Sequence, residues 1–535
     1  MADAADHGWT PERSVAGKHN PWTIIGVISI ATFMVVLDSS IANVSLGHIA
    51  GSLSASYDEA AWVLTSFLVA NAIVIPISGW LADVVGRKRY YMFSVALFTL
   101  SSLLCGLAPT LPMLILARIL QGIGGGGLAP VEQSMMADTF PPSKRGAAFA
   151  VYGVVVIVGP ILGPSLGGWI TDNYSWHWVF LINVPIGILS LTLVGMFVDE
   201  PPALVKRAKE LVAGGLKIDF IGFALIALFL GSLEVTMDRG QRDDWFSSPM
   251  IASFAILGTL ALVIFIPWEL AQKDPIVRVD LFKRANFAIS NIFMLLVGMI
   301  LFGTTQFIPQ LLQQVLGYTA TSAGEALTLG GIATILMMPV AGLLTGKVDS
   351  RLLIGVALVI QGVALWNMST LDTLMSFQNA AVARMIQSVG MPLMFVPIST
   401  VAYVGLRPQE NNQASALMNV SRNLGGTLGI SFAQTMLARQ GQVHQSQLVE
   451  SLNPLNPNYR QAISDISHGL MAHGVSQADA GRTAGAVLYQ TMGQQAAMLS
   501  YIDVFRIMMW MVFVCLPLLF LMRAPKQGAA AEMAH

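Results

Sequence analysis

The sequence predicts an all-α integral membrane protein with fourteen spanning helices, and three observations carry that expectation. Of its 535 residues 54% are hydrophobic and only 11% are charged, against roughly 25% charged in a typical soluble domain. The apolar residues gather into runs of about 20, the length a helix needs to cross a hydrocarbon core roughly 30 Å thick. Lys and Arg collect in alternate loops between those runs, as the positive-inside rule requires of a multi-pass chain.

The runs fall near 22–46, 60–83, 90–109, 112–137, 146–170, 178–198, 218–237, 249–270, 286–309, 321–345, 351–370, 377–403, 412–437 and 500–523. The basic loops hold Arg87, Lys88 and Arg89; Lys144 and Arg145; Lys206, Arg207, Lys209 and Lys217; Lys273, Arg278, Lys283 and Arg284; Lys347 and Arg351; Arg407; and Arg523 with Lys526. The loops near Ser54, Pro109, Asn173, Gly317 and Asp372 carry almost none, and Arg239 and Arg242 are offset by Asp238, Asp243 and Asp244. Both termini are therefore expected in the cytoplasm, which needs an even number of spans; fourteen fits and thirteen breaks the alternation. The first 20 residues are polar and lack an apolar stretch with a small-residue cleavage site, so the first run is expected to remain as a helix.

A repeat divides the chain. ARILQGIG (117–124) and ARMIQSVG (383–390) share Arg, Gln and Gly at the same offsets, in the fourth and twelfth runs, and GWLADVVGR (79–87) is echoed by GLLTGKVDSR (342–351). Matching helices of one orientation mean a parallel repeat about an axis along the membrane normal. The expected organisation is a cytoplasmic tail (1–20), a six-helix half (21–200), an inserted helix pair (217–270), a second six-helix half (285–523) and a cytoplasmic tail (524–535). Within the second half, 440–498 reads as an extracytoplasmic helical hairpin: NPLNPN is a turn cluster, Ile463, Ile466 and Leu470 follow at helical spacing, and Ser476 to Asp479 forms a capping box.

Charges inside the runs are the candidate functional residues. An ionised carboxylate at bilayer depth costs about 2.5–3.5 kcal/mol on insertion scales, so Asp38 in MVVLDSSIANV should face a protein-lined cavity, where it can load and release a proton. Arg118 is the natural counter-charge, either steadying ionised Asp38 or satisfying carbonyls, and Gln121 shares its face. Glu132, deeper in the same run, is either a second protonatable or substrate-contacting group or a solvated interfacial one. Arg384 and Gln387 repeat the Arg/Gln pair, and Arg422 and Asn423 are candidates to line the cavity from the other side or to serve packing.

Two stretches read mechanically. Gly159, Gly163 and Gly167 form a smooth stripe that admits another helix closely, while Pro160 and Pro164 remove backbone donors and bend the run, so the fifth helix is expected to act as a pivot or seal between the halves. At 79–89, Gly79 permits close contact, Asp83 can pair with a cation or helix N-terminus, and Arg87, Lys88 and Arg89 anchor the loop against headgroups, with Gly86 a member of the same stretch.

Enzymatic readings find no support. The eight histidines show no metal-ligand spacing, no Walker loop or GxSxG elbow occurs, and Cys105 and Cys515 lie far apart in apolar runs, so neither a metal nor another cofactor is expected. A net charge of −1 gives no reason to expect nucleic acid as a partner.

GWLADVVGRKR (79–89), ARILQGIG (117–124) and GVVVIVGPILGPSLGGW (153–169) resemble signatures of the major facilitator superfamily. With LDSSIANV (37–44), SWHWVFLINVPIG (175–187), the inserted pair and LFKRANF (281–287), the pattern resembles the fourteen-helix drug:proton antiporters of the EmrB/QacA type; DRGQRDDWFSS (238–248), QLLQQVLGYTAT (310–321) and ESLNPLNPN (450–458) place it on the EmrB side. The resemblance implies proton-coupled efflux of small hydrophobic or amphiphilic compounds across a bacterial inner membrane, with Asp38 in coupling, 79–89 as a cytoplasmic latch and 153–169 as the antiporter helix. It implies membrane lipid as surroundings and a periplasmic adaptor of the EmrA type with an outer-membrane channel as partners; the 440–498 hairpin either meets that adaptor or covers the exit. A dedicated metabolite, siderophore or lipid exporter is the alternative on the same scaffold. Relatives that export dications use an acid deep in the tenth helix, where this chain has only Glu325 near the outer end, which favours neutral, monocationic or weakly acidic cargo.

Overall fold

The computed structural model describes residues 14–522, apart from 18, 202–204, 207, 209–218, 273–274 and 374. Most of the two predicted tails, and Arg207, Lys209, Lys217, Lys273, Arg523 and Lys526 of the basic loops, lie outside the described residues. All regular structure among the described residues is helical.

The first helix, α1 (Pro21–Val44), starts where Asn20 accepts from the Trp22 amide and Pro21 takes a position that needs no N–H. The short α2 (Leu46–Ser52) leads to α3 (Tyr57–Val85), opened by a reciprocal capping box between Ser56 and Glu59. Then follow α4 (Arg87–Gly106), α5 (Leu111–Gly126) and α6 (Leu128–Thr139), broken only at Gly127, α7 (Pro142–Asn173), α8 (His177–Leu181) and α9 (Asn183–Phe197). These pack as one bundle. A helical pair, α10 (Phe220–Arg239) and α11 (Pro249–Ala271), precedes the second bundle. That bundle comprises α12 (Ala285–Gln310), α13 (Ala320–Thr345), α14 (Ser350–Met368), α15 (Phe377–Val401), α16 (Asn411–Val449), α17 (Pro457–Ala472) and α18 (Gln477–Cys515). The end of the bundle where α1 begins is called the N face below.

Among the described residues, twelve spans are long and apolar enough to cross a membrane. α4 and α16, two of the fourteen runs, are not among them. α4 opens on three basic residues, and the first turns of α16 carry Asn411, Asn412, Gln413, Ser415 and Asn419, all buried against protein rather than facing outward.

The glycine stripe of α7 finds its neighbour in α1. Added side chains at Gly159, Gly163 and Gly167 would strike Val36, Ser40 and Ile41 of α1, so the stripe seats two helices of the same half and does not seal one half against the other. The carbonyl of Pro160, which Pro164 leaves without its helical donor, accepts from Ser40 Oγ at 3.1 Å. The opposite side of α7 meets the second half: Gly146 approaches Thr345 and Gly342, and Gly153 approaches Met338 of α13. The close contact repeats in the second bundle, where Gly298 of α12 lies on the Arg422 carbonyl and Gly425 and Gly429 of α16 lie on Leu295 and Met299.

Away from the N face, α16 runs on to Val449, α17 packs on α18, and Ser476 caps α18 by accepting from the Asp479 amide. α18 then continues unbroken into the last apolar span.

Candidate functional site

Asp38 sits on α1 about 26 Å along the helix from the N face, at 1.5 Å per residue. It is 1% exposed and is ringed by donors from two other helices, α5 and α9. Arg118 Nη1 donates to Oδ2 at 2.6 Å, while Gln121 Nε2 and Asn183 Nδ2 donate to Oδ1 at 3.0 and 2.7 Å. Ser102 Oγ accepts from both amides, at 3.1 and 3.0 Å, and donates to the Phe180 carbonyl. Arg118 also donates Nε to the Val63 carbonyl at 3.1 Å and lies 4.1 Å over the Phe67 ring. Thus Arg118 both faces the carboxylate and satisfies a carbonyl. The guanidinium and the two amide NH2 groups together satisfy both oxygens of a carboxylate at this position.

The second half repeats the frame without the acid. Arg384 Nη1 donates to Gln387 Oε1 at 2.6 Å and to Thr304 Oγ1 at 2.8 Å, and Gln387 Nε2 reaches the same hydroxyl at 2.9 Å. Gln361 of α14 bonds the Gln387 carbonyl, taking the place that Ser102 of α4 holds beside Gln121. Thr304 of α12 stands where α1 has Asp38. Arg384 is buried and, among the described residues, has no carboxylate partner.

Glu132 is fully buried, which removes the solvated reading. Ser29 donates to Oε1 at 2.6 Å and Thr32 bonds Oε2, both from α1. Arg422 donates to the Tyr152 hydroxyl at 3.2 Å across the two halves, and Asn423 beside it is half-buried. A cavity of about 520 Å³ opens between α12, α16 and α18, one turn beyond Thr304, lined by Phe307, Gln310, Gln314, Gln434, Gln445 and Tyr501 among others.

The 79–89 stretch bonds the two halves together at the N face. Gly79 packs on the Asn412 backbone of α16, Asp83 accepts from the Asn412 amide, and Ser134 bonds the Asn412 side-chain carbonyl. Arg87 pairs with Asp138, which also accepts from Asn411 Nδ2 at 2.6 Å, and Asn419 donates to Gln133 at 2.9 Å. Gly86 turns at φ +97°, a conformation that suits glycine, and frees the Arg87 and Lys88 amides to donate to Glu200 at 2.9 and 3.0 Å. Lys88 Nζ reaches the Gly195 carbonyl. These inter-half bonds lie at the N face or between it and the Arg422–Tyr152 contact, so the halves are tied together there. Beside them, Arg278 and Arg284 pair with buried Glu410, and the Arg278 guanidinium holds the Asp280 carboxyl below the ordinary carboxylate range.

Several residues escaped the sequence reading. Asn183 lay inside a quoted motif, an amide in an apolar run, and the same signal marks Glu234 and Glu269 in the inserted pair. Glu234 is buried with both oxygens 3.1 Å from Thr427 Oγ1 of α16. Glu269 is buried near Asp219, which caps α10 and accepts from the Trp268 indole. Asp138, Asn411 and Asn412 had no sequence signal beyond their polarity.

The sequence model described as Major Facilitator Superfamily matches residues 28–430. The multidrug export protein EmrB of Escherichia coli (strain K12) is 40% identical over 440 residues, covering 82% of this chain and 84% of that protein. The fatty acid resistance protein FarB of Neisseria gonorrhoeae is 34% identical over 498 residues, covering 93% and 95%. Among solved structures, the human organic anion transporter MFSD10 superposes with a TM-score of 0.56 at 13% identity, over 92% of this chain and all of that one, a likeness of fold alone. With a two-bundle helical fold, a repeated Arg/Gln frame and a matching sequence model, the chain belongs to the major facilitator superfamily.

Proposed function

We propose that this protein is a proton-coupled exporter of hydrophobic and amphiphilic compounds, working by alternating access in a bacterial inner membrane. The relatives named for multidrug export supply the activity, and the observation that supports the coupling is a buried Asp38 ringed by N–H donors in a molecule whose halves are bonded together at one face. In this reading α4 and α16 complete fourteen spans, both termini are cytoplasmic, and the N face is the cytoplasmic one. The conformation is then closed inward, with the proton gone from Asp38. A proton from outside neutralises Asp38, releases Arg118 and Gln121, and lets the latch at Asp83, Asp138, Asn411 and Asn412 open. Cargo enters from the cytoplasm, and loss of the proton inward restores the Asp38–Arg118 pair. Glu132, buried beside α1, carries a second inward step. The membrane potential contributes about 2.3 kcal/mol per charge per 100 mV. Arg384, Gln387, Arg422 and Asn423 line the cargo path from the second half, and the outer ends of α16–α18 meet a periplasmic adaptor of the EmrA type serving an outer-membrane channel.

The test is reconstitution into proteoliposomes with an imposed pH gradient, following rhodamine 6G and proton fluxes. Wild type is expected to couple them and Asp38→Asn to lose gradient-driven export; full coupled flux in the variant sinks the reading. A dedicated lipid exporter is a second reading, favoured by the likeness to the fatty acid resistance protein. Saturable transport of a long-chain fatty acid with no movement of the dye would select it.

A further inference from the structure

Glu234 lies about 21 Å along α10 from the N-face end, in the outer part of the bundle, and is 4% exposed. Its helix is fastened to the first half. Asp238 bonds Thr65 of α3, Arg239 donates to the Asp58 carbonyl at 3.1 Å and lies over Trp62, and Gly231 packs near Ile73 and Val69. Yet the hydrogen-bond partner of Glu234 belongs to the second half: both its oxygens stand 3.1 Å from Thr427 Oγ1 of α16. Rocking of the halves therefore changes what this acid touches.

The hydrogens decide its state. Thr427 Oγ1 has one proton and is also 3.2 Å from the Asn423 carbonyl. An ionised Glu234 would be a buried charge served by a single shared donor. A neutral Glu234 donates its O–H to Thr427, which donates onward to Asn423, and the chain closes. No cation pairs with it among the described residues. The titratable groups on the surrounding helices are Asp238, one turn outward and held by Thr65, and Arg239, paired with Asp243; on α3, Tyr57, Asp58 and Glu59 at the outer end and Asp83 at the N face; on α11, Glu269 near the N face; and on α16, Arg422, engaged with Tyr152, with Arg439 and His444 further out. Glu234, with one shared hydroxyl, thus contrasts with Asp38, which has three N–H donors.

We propose that Glu234 is a further proton-binding site beyond Asp38 and Glu132, occupied while Thr427 of the opposite half stands against it and emptied when α16 moves away. The proton comes from hydronium on the outer side, forming the Glu234 O–H and leaving water. On opening at the N face it passes to water in the gap between α10 and α16. The inserted pair then takes part in coupling, out of phase with Asp38. This inference rests on the proton-coupled reading above.

Two measurements test it. Infrared difference spectra of the purified protein, titrated with pH, are expected to show a carboxylic-acid carbonyl band that Glu234→Gln lacks and Thr427→Val shifts. Gln keeps a donor for Thr427, so the fold is retained. In proteoliposomes carrying rhodamine 6G, Glu234→Gln is expected to move one proton fewer per dye molecule than wild type. An unchanged band, or a lost band with an unchanged proton-to-dye ratio, overturns the proposal. If Asp38→Asn also keeps the wild-type ratio, the coupling reading itself falls, and this inference with it.

Discussion

Asp38 and Arg118 stabilise one another only as a pair in a setting that water does not reach. Removing one partner strands a buried charge at a cost of about 3–5 kcal/mol, whereas removing both leaves none. Arg118→Met is therefore expected to lower the melting temperature in detergent sharply, and Asp38→Asn with Arg118→Met to recover much of that loss; a double variant worse than the single contradicts the pairing. Asn183→Ala withdraws a hydrogen bond to the Asp38 carboxyl, about 1.5–3 kcal/mol, and is expected to weaken gradient-driven flux about 10- to 150-fold while leaving downhill dye leakage alone. The sequence made Asp38, Arg118 and Gln121 visible because a charge in an apolar run is conspicuous. Asn183 was overlooked because uncharged amides are common in spans, and Thr304 because a threonine acquires meaning only once Arg384 and Gln387 are seen around it.

Helices in this molecule are placed by what they lack as much as by what they carry. An added methyl at Gly163 falls on Ser40, whereas Gly168, one residue from the stripe, has open space around it. Gly163→Ala is expected to cost about 1–3 kcal/mol by overpacking, and Gly168→Ala to be neutral or to gain up to about 1 kcal/mol, both read from thermal unfolding in detergent. The spacing of Gly159, Gly163 and Gly167 announced a close neighbour without saying which, because periodicity fixes a face and not the partner; the partner is α1 of the same half. The short turn Val279–Lys283 holds a pH-dependent tie. Since Arg278 depresses the Asp280 carboxyl, the pair is complete above the ordinary carboxylate range and is lost as pH falls through the lowered value. Amide exchange across 278–284, corrected for the intrinsic rate, is expected to quicken only in acid, and Asp280→Asn to remove that change.

For the whole molecule, polar bonds between large bodies add to close helix packing in holding the halves together at the N face. Asn412→Ala removes the bonds to Asp83 and Ser134, about 0.5–1.5 kcal/mol each, and is expected to raise the open population about 5- to 150-fold. Distances between spin labels on the N-face ends of α6 and α16 read this directly, and an unchanged distribution would mean that the latch lies elsewhere. The repeat made the two bundles legible from ARILQGIG and ARMIQSVG, while the bonds between the bundles were not, since contacts distant in sequence leave no local pattern. α16 brings the two ends of the molecule together. Its 39 residues make one rod about 58 Å long, gripping Asp83 and Asp138 through Asn412 and Asn411 at its foot and standing against α18 far above. Such a shaft has no hinge in which to lose motion, so a body clasping its upper end would feel the lower end let go, and could hold it fast from nearly twice the thickness of the lipid core away.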